Sequence, residues 1–346
     1  MLALGGTLSL QAHSQSAGWK PTQNIEIIVP AAAGGANDLL GRLVHRILQD
    51  GKLLVDNTAI VINKPGGGHS IGLAYLNEHA GDGHYLMIET STMLVNELTG
   101  KLNVRHSDIT PLAVLFRDYI TISVRPDSPL KTGRDFIERL KKAPGSVSIA
   151  LSSALANVNH LAAALVAKSG GADVRKLKIV VFNSGSETMT ALLGGHVDVV
   201  AGPAQVAARL LLSGKIRVIG VLAPQRLGGA LAQVPTFGEQ GTPAVMANWR
   251  SIIGPRSMSA AQIAYWDQVI AKVVQADEYK KEVERNLADS NYLGSAGARK
   301  YWDAQYNELK SLLVELGLTK YRNPAQRYST CVKVRLAFLA LRLPHW

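Results

Sequence analysis

The chain has 346 residues, 47% of them hydrophobic, enough to bury a full core and fill about two domains at the usual ~100–200 residues each. Its net charge of +11 falls to +7 without the acid-free last 23 residues, and the rest interleaves bases with acids, as in Asp277–Glu282, so the basic stripe with aromatics that nucleic-acid binding needs is missing. Cys331 is the only cysteine, which excludes an internal disulfide and a cysteine-built metal site, and no run reaches the ~18 apolar residues of a membrane span.

Met1–Leu10 is apolar and uncharged, and Ala12–Ser14 or Gln15–Ala17 supplies a small-residue cleavage region. Residues 1–18 read as the remnant of a signal peptide, with the mature chain starting between Ser14 and Trp19. A frayed apolar N-terminus is the structural alternative. Export to a bacterial periplasm is compatible with a large chain that lacks disulfides.

Ile25–Val29 reads as a strand, and Leu40, Leu43, Val44, Ile47 and Leu48 then recur at helical spacing. Between them lies the loop Ala31–Asp38, so a helix starts near Asn37 or Asp38 with its unpaired N–H groups at the carboxyl edge of a sheet, where α/β proteins bind small anions. Ile60–Asn63 leads likewise into Lys64-Pro65-Gly66-Gly67-Gly68-His69-Ser70. Further strand runs are Tyr85–Glu89, Tyr119–Val124, Val147–Leu151, Ile179–Phe182, Val197–Ala201, Ile216–Leu222 and Trp249–Ile253, with amphipathic runs at Asn159–Ser169, Glu187–Leu193 and Gln205–Leu212. The alternation predicts parallel α/β sheets. Ser259–Leu318 holds three helical patterns and no strand, the last being Ala296–Leu316.

Breaks at Arg125–Pro129 and Gln240–Pro243 mark candidate hinges. They divide the chain into one lobe of residues 19–124 plus 246–323 and a second of 125–245, with a cleft between them as the natural ligand site. Residues 324–346 form an atypical basic tail, disordered, misjoined or membrane-surface in character.

Three enzyme signatures overlap this picture. Gly68-His69-Ser70-Ile71-Gly72 matches a nucleophile elbow, yet four residues intervene after the strand and the required order of serine, acid and histidine finds no partner, the only histidine after Asp198 being His345 in the tail. Gly66-x-Gly68-x-x-x-Gly72 with Glu89 is a near miss of the dinucleotide fingerprint, and Pro65 and the first glycine loop do not fit it. The nine histidines are scattered, without metal-ligand spacing. Tight turns that hold no ligand remain the bland reading of both loops.

The run Ile27-Ile28-Val29-Pro30-Ala31-Ala32-Ala33-Gly34-Gly35-Ala36-Asn37-Asp38 resembles the first ligand loop of the Bug-type receptors of tripartite tricarboxylate transporters. Asn63–Gly72 resembles their second glycine loop, and Asp82–Leu86, Thr90-Ser91, Ser184–Glu187, Leu192–Asp198, Ser213–Arg217, Val234–Thr236 and Asn248–Arg250 before Gly254-Pro255 follow in order, over about residues 19–320. The resemblance implies an α/β, two-lobed periplasmic binding protein, type II-like, closing on a small di- or tricarboxylate in the cleft. It implies no catalysis, no cofactor and no metal, a monomeric receptor, and delivery of the ligand to the membrane subunits of such a transporter. The alternative is an α/β enzyme, an NAD(P)-dependent oxidoreductase or a serine hydrolase using the Gly66–Gly72 loop.

The ligand residues that the resemblance implies are Ala33, Gly34, Gly35, Ala36, Asn37 and Asp38, Thr90 and Ser91, then Ser152, Ser153, Asn157, His160, Ser184, Gly185, Ser186, Glu187 and Asp198. Asp38 serves either as a helix cap or to orient the ligand. His160 is equally readable as a packed helix-start residue, Glu187 as a first-turn acid and Asp198 as a turn residue. The loop Ser152–Asn157 departs from the family pattern, with alanines where glycines are usual and Asn157 where a hydroxyl is common. Glu89 is unusual beside a pocket for anions.

Overall fold

A computed structural model describes residues 18–319 apart from Gly35, Val55, Ser153, Ala154 and Asn183. The signal region, the basic tail and the expected ligand residues Gly35 and Ser153 therefore lie outside the described residues. The first half of the fold runs β1 (Ile25–Val29), α1 (Ala36–Asp50), β2 (Ala59–Asn63), α2 (Ser70–Glu78), β3 (Tyr85–Thr90), α3 (Thr92–Thr99), β4 (Thr110–Val124), α4 (Gly133–Lys142), β5 (Ser148–Ser152) and α5 (Val158–Ser169). It continues with β6 (Lys178–Phe182), α6 (Gly185–Leu193), β7 (Val199–Pro203), α7 (Ala204–Leu212), β8 (Arg217–Val221), β9 (Ala247–Gly254), α8 (Ala260–Val273), α9 (Asp277–Arg285), β10 (Leu293–Gly294) and α10 (Ser295–Leu316).

The strand order is β2-β1-β3-β9-β4-β7-β5-β6, with β8 and β10 also paired to β4. The architecture is two-lobed α/β. β1 pairs parallel with β2 and β3, and β5 pairs parallel with β6 and β7. The strands joining these groups are antiparallel, so the expectation of parallel sheets holds within each group and fails between them. β4 is the reason. Thr110–Tyr119 pairs with β9, and Ile120–Val124 pairs with β7 and β8, so one strand of 15 residues serves both lobes.

Both faces of each sheet are covered, which gives apolar runs rather than clean alternation. In β1, Ile25, Ile27 and Val29 pack with Leu40, Leu43, Val44, Ile47 and Leu48 of α1 and with Trp266 and Tyr279, whereas Ile28 faces the other way into Leu73, Leu76, Met87 and Met93. Burying each such side chain contributes about 1.5–3 kcal/mol, so the apolar stripe of α1 is what fastens it to the sheet. α10 returns across the first lobe, where Trp302 meets Trp249 of β9 at 4.7 Å between ring centroids, both side chains fully buried. In the second lobe Ala150, Leu192, Val200, Ala207 and Val218 form a separate core on the face of α6 and α7.

Candidate functional site

The first loop leaves β1 and is folded back onto its own helix. Asp38, 1% exposed, accepts hydrogen bonds from Gly34 N (2.8 Å), Arg42 Nε (2.9 Å) and Asn63 Nδ2 (2.9 Å). Asn63 Nδ2 also donates to Ala31 O at 2.9 Å, so both glycine-rich loops are fastened to one carboxylate and one amide. The hydrogen bond from Arg42 does most to hold the Asp38 carboxyl at about 2, burial opposing it and the Gly34 and Asn63 donors assisting. With Gly34, Arg42 and Asn63 all bonded to it, Asp38 is the latch of the loop. Ala33, Gly34 and Ala36 are exposed and Asn37 is half-buried, so the loop's backbone is what the site presents.

The second loop turns through four consecutive positive φ values, at Gly66 (117°), Gly67 (58°), Gly68 (59°) and His69 (81°). His69 alone carries a Cβ into this region, at a cost of about 1–2 kcal/mol. Its Nδ1–H donates to Glu89 Oε1 at 2.6 Å, and Thr90 N donates to the same oxygen at 2.7 Å. Burial works against charge on His69, but the Glu89 carboxylate outweighs it by charge and hydrogen bond and lifts the imidazole above its ordinary value, with Arg250 opposing. Asn96 Nδ2 donates to Gly68 O at 2.7 Å and pins the turn to α3.

Between the loops, polar side chains fill the place where β4 changes lobes. Ser91 Oγ donates to Asn248 Oδ1 at 3.0 Å, and Thr90 Oγ1 accepts from Thr92 N at 3.2 Å. Arg250 stands opposite Thr90 on β3 and reaches Asp118 Oδ2 of β4 at 3.2 Å. Burial pushes the Asp118 carboxyl up, against the opposing charge of Arg250.

On the second lobe Ser152 ends β5 and Asn157 caps α5. Asn157 Oδ1 accepts from His160 N at 3.0 Å, and its amide donates to Ser152 O. His160 Nδ1 accepts from Ala156 N at 2.9 Å, holding Ala156 at a φ of 65°, and burial lowers the imidazole below its ordinary value. Ser184 caps α6 by accepting from Glu187 N at 3.2 Å. That helix start presents half-buried Gly185 and exposed Ser186 and Glu187 at the carboxyl end of β6.

Two cavities flank this junction. The larger, about 810 Å³, is lined by His69, Asn96, Lys101, Ile120, Leu155, Asn157, Asn159 and Asn248 among others, so it has walls from both lobes. The smaller, about 260 Å³, is lined by Ala36, Leu39, Asp118, Gln205, Arg209, Arg250 and Arg285 among others. Of the residues expected from sequence, Asn157 faces the first and Ala36 the second, while Thr90, Ser91 and His160 are buried in the supporting network. Asp198 stands apart. Its carboxylate accepts from Ser148 N (2.8 Å) and Ser148 Oγ (2.6 Å) at the start of β5, the opposite end of that strand from Ser152. It ties two strands together and does not face the cleft. Sequence reasoning left out His69, Asn96, Lys101, Asn159 and Asn248, and the histidine inside a run of glycines was the signal that could have found the first. Among the described residues no group of three or more histidine, cysteine or acidic side chains is placed to hold a metal ion.

The model of the tripartite tricarboxylate transporter family receptor matches residues 44–318. The chain belongs to that family. The Bordetella pertussis protein BugT is 26% identical over 266 residues, 75% of this chain and 79% of that protein. A UPF0065 protein of Cupriavidus necator is 24% identical over 318 residues, covering 91% of this chain and 94% of its own. A TctC solute-binding protein from Polaromonas, solved without ligand, superposes with a TM-score of 0.74 at 26% identity, covering 85% of this chain and 98% of that one. An R. palustris protein with adipate shares the fold at a TM-score of 0.72 and 21% identity, covering 86% and 99% of the two chains. Members of the TctC family are periplasmic solute receptors and not enzymes, which overturns the oxidoreductase and hydrolase alternatives. The local geometry agrees, because Glu89 is spent on His69 and Thr90 where a nucleotide fold would offer it to a ribose, and Ser70 opens α2 seven residues after β2 ends. No described helix is long and apolar enough to cross a membrane.

Proposed function

We propose that this TctC-family receptor binds a small di- or tricarboxylate in the cleft between its lobes and delivers it, by closing, to the membrane subunits of a tripartite tricarboxylate transporter. The observation that carries this reading is the larger cavity at the lobe junction, lined by amides and by His69 and Lys101 with no acidic side chain among its described lining residues. An anion entering there meets hydrogen-bond donors in a partly desolvated space, where charge-assisted bonds are strong. The exposed residues Ala33, Gly34 and Ala36 and the helix start of α1 supply a second anion-binding element. Similar folds holding adipate, and malate in MatC of Rhodopseudomonas palustris, support a carboxylate as the ligand. We assign Ala33–Asp38, Thr90, Ser91, Ser152, Ser153, Asn157, His160 and Ser184–Glu187 to the binding or supporting loops. The N-terminal apolar segment serves for export, and the receptor acts as a monomer.

A thermal-shift panel tests this reading. Citrate, malate, succinate and adipate are compared with NAD and a short-chain ester, and a ligand at about 100 times its Kd adds about 2.7 kcal/mol of stability, a rise of several degrees. A shift with NAD or the ester alone would overturn it.

A further inference from the structure

His69 is the one residue of the second loop that its backbone does not favour. At a φ of 81° glycine is unstrained, yet here a histidine is held, and strain of this kind persists where the surroundings fix it and is a pointer to function. What fixes it is Glu89, fully buried on β3, whose Oε1 takes the Nδ1–H at 2.6 Å while Oε2 has no hydrogen-bond partner. The carboxylate sits behind the ring and does not line the cavity, whereas the ring does, with 14% of its side chain exposed. Arg250 on β9 is the other charge acting on the imidazole, and Arg250 is itself offset by Asp118 on β4. Lys101 lines the same cavity. The charge that the cavity sees is therefore cationic, with its counter-charge placed out of a ligand's reach.

We propose that His69 is a specificity-determining residue: its imidazolium, backed by Glu89, binds one carboxylate of the ligand in the larger cavity, which Lys101 also lines for a second, so that the cleft selects dicarboxylates over monocarboxylates. This inference rests on the reading of the cleft as the ligand site. Glu89 finds its purpose in it, as the group that keeps a histidine charged. Because the folded imidazole is raised, dicarboxylate affinity is full at lower pH and falls as pH rises through that value. In Glu89→Gln the fall comes at lower pH.

Calorimetric titration of the full chain compares adipate with hexanoate and succinate with butyrate, between pH 6 and 8.5. The expected result is a preference for the dicarboxylate of a pair, reduced at least about tenfold in His69→Gly and His69→Gln, with monocarboxylate binding within about twofold of the parent. Glu89→Gln is expected to lose the preference at a lower pH than the parent does. His69→Gly removes the strained Cβ, so its melting temperature serves as the check that the turn is intact. Unchanged dicarboxylate affinity in a folded His69→Gly overturns the role of His69 and leaves the cleft reading standing. Silence of the unaltered receptor toward both pairs, with the thermal-shift panel also silent, overturns the cleft reading and this inference together.

Discussion

The Asp38 carboxylate and the Asn63 side-chain amide meet at 2.9 Å, and the same amide reaches Ala31 O at 2.9 Å. The loop after β1 and the residue that ends β2 are thus one polar unit, and a ligand bound by either loop depends on it. Asp38→Ala is expected to leave a folded receptor and to weaken carboxylate binding at least about tenfold, because the backbone donors lose their alignment. Titration calorimetry decides, and unchanged affinity would reduce Asp38 to a helix-start residue.

The same carboxylate gives a pH signature. Its folded value of about 2 lies below the unfolded 3.8, so its contribution is present above the unfolded value and is lost as pH falls toward 2. With Arg42 half-exposed, the contribution is discounted to about 1–2 kcal/mol. Urea unfolding of Asp38→Asn is expected to lose this part of the dependence between pH 4 and pH 2 and to keep the rest.

Arg250 and Asp118 are both buried, at 8% and 3% exposure. Removing the guanidinium leaves a carboxylate in a place that already disfavours its charge, at a cost of about 3–5 kcal/mol. Arg250→Met is expected to lower the melting temperature strongly, and the double variant with Asp118→Asn to recover part of the loss. Additive losses in that cycle would show that the pair does not act as a unit.

Ala156 holds a φ of 65° under the bond to His160. Ala156→Gly relieves about 1 kcal/mol of strain, less the added freedom of the unfolded chain, so its melting temperature should stay level or rise. A clear fall would mean that the methyl packing outweighs the strain, since this side chain is only 4% exposed.

Ser70 is expected to resist a fluorophosphonate probe, and Ser70→Ala to bind carboxylates like the parent. Deleting 324–346 is expected to leave affinity and melting temperature unchanged, because α10 already ends at Gly317 with Leu318 N bonded to Leu313 O. Lost liposome binding on truncation would instead mark that segment as an anchor.

The strands with turn residues at both ends were legible, and β1, β2 and β6 lie within a residue of where the apolar runs put them. The first half of β4 was not. Thr110–Asp118 contains Pro111 and is buried on both faces, so it shows neither alternation nor a clean boundary, and only its pairing with β9 declares it a strand. The glycine loops and the cap at Asn157 were readable because turns and helix starts demand particular residues locally. The pairs Glu89 with His69 and Arg250 with Asp118 were not, since the first joins a loop to a strand 20 residues on and the second joins two strands through sheet register. The same lack hid the role of Asp198, whose partner Ser148 lies 50 residues away.

The shared strand β4 also governs how the receptor melts. Were the second lobe to come apart alone, Ile120–Val124 would lose β7 and β8 together, and a buried run would be left with bare backbone on both edges. Unfolding of one half therefore exposes the other, and calorimetry of the unliganded chain should give one endotherm whose van't Hoff and calorimetric enthalpies agree, even though the molecule has two lobes and a cleft between them.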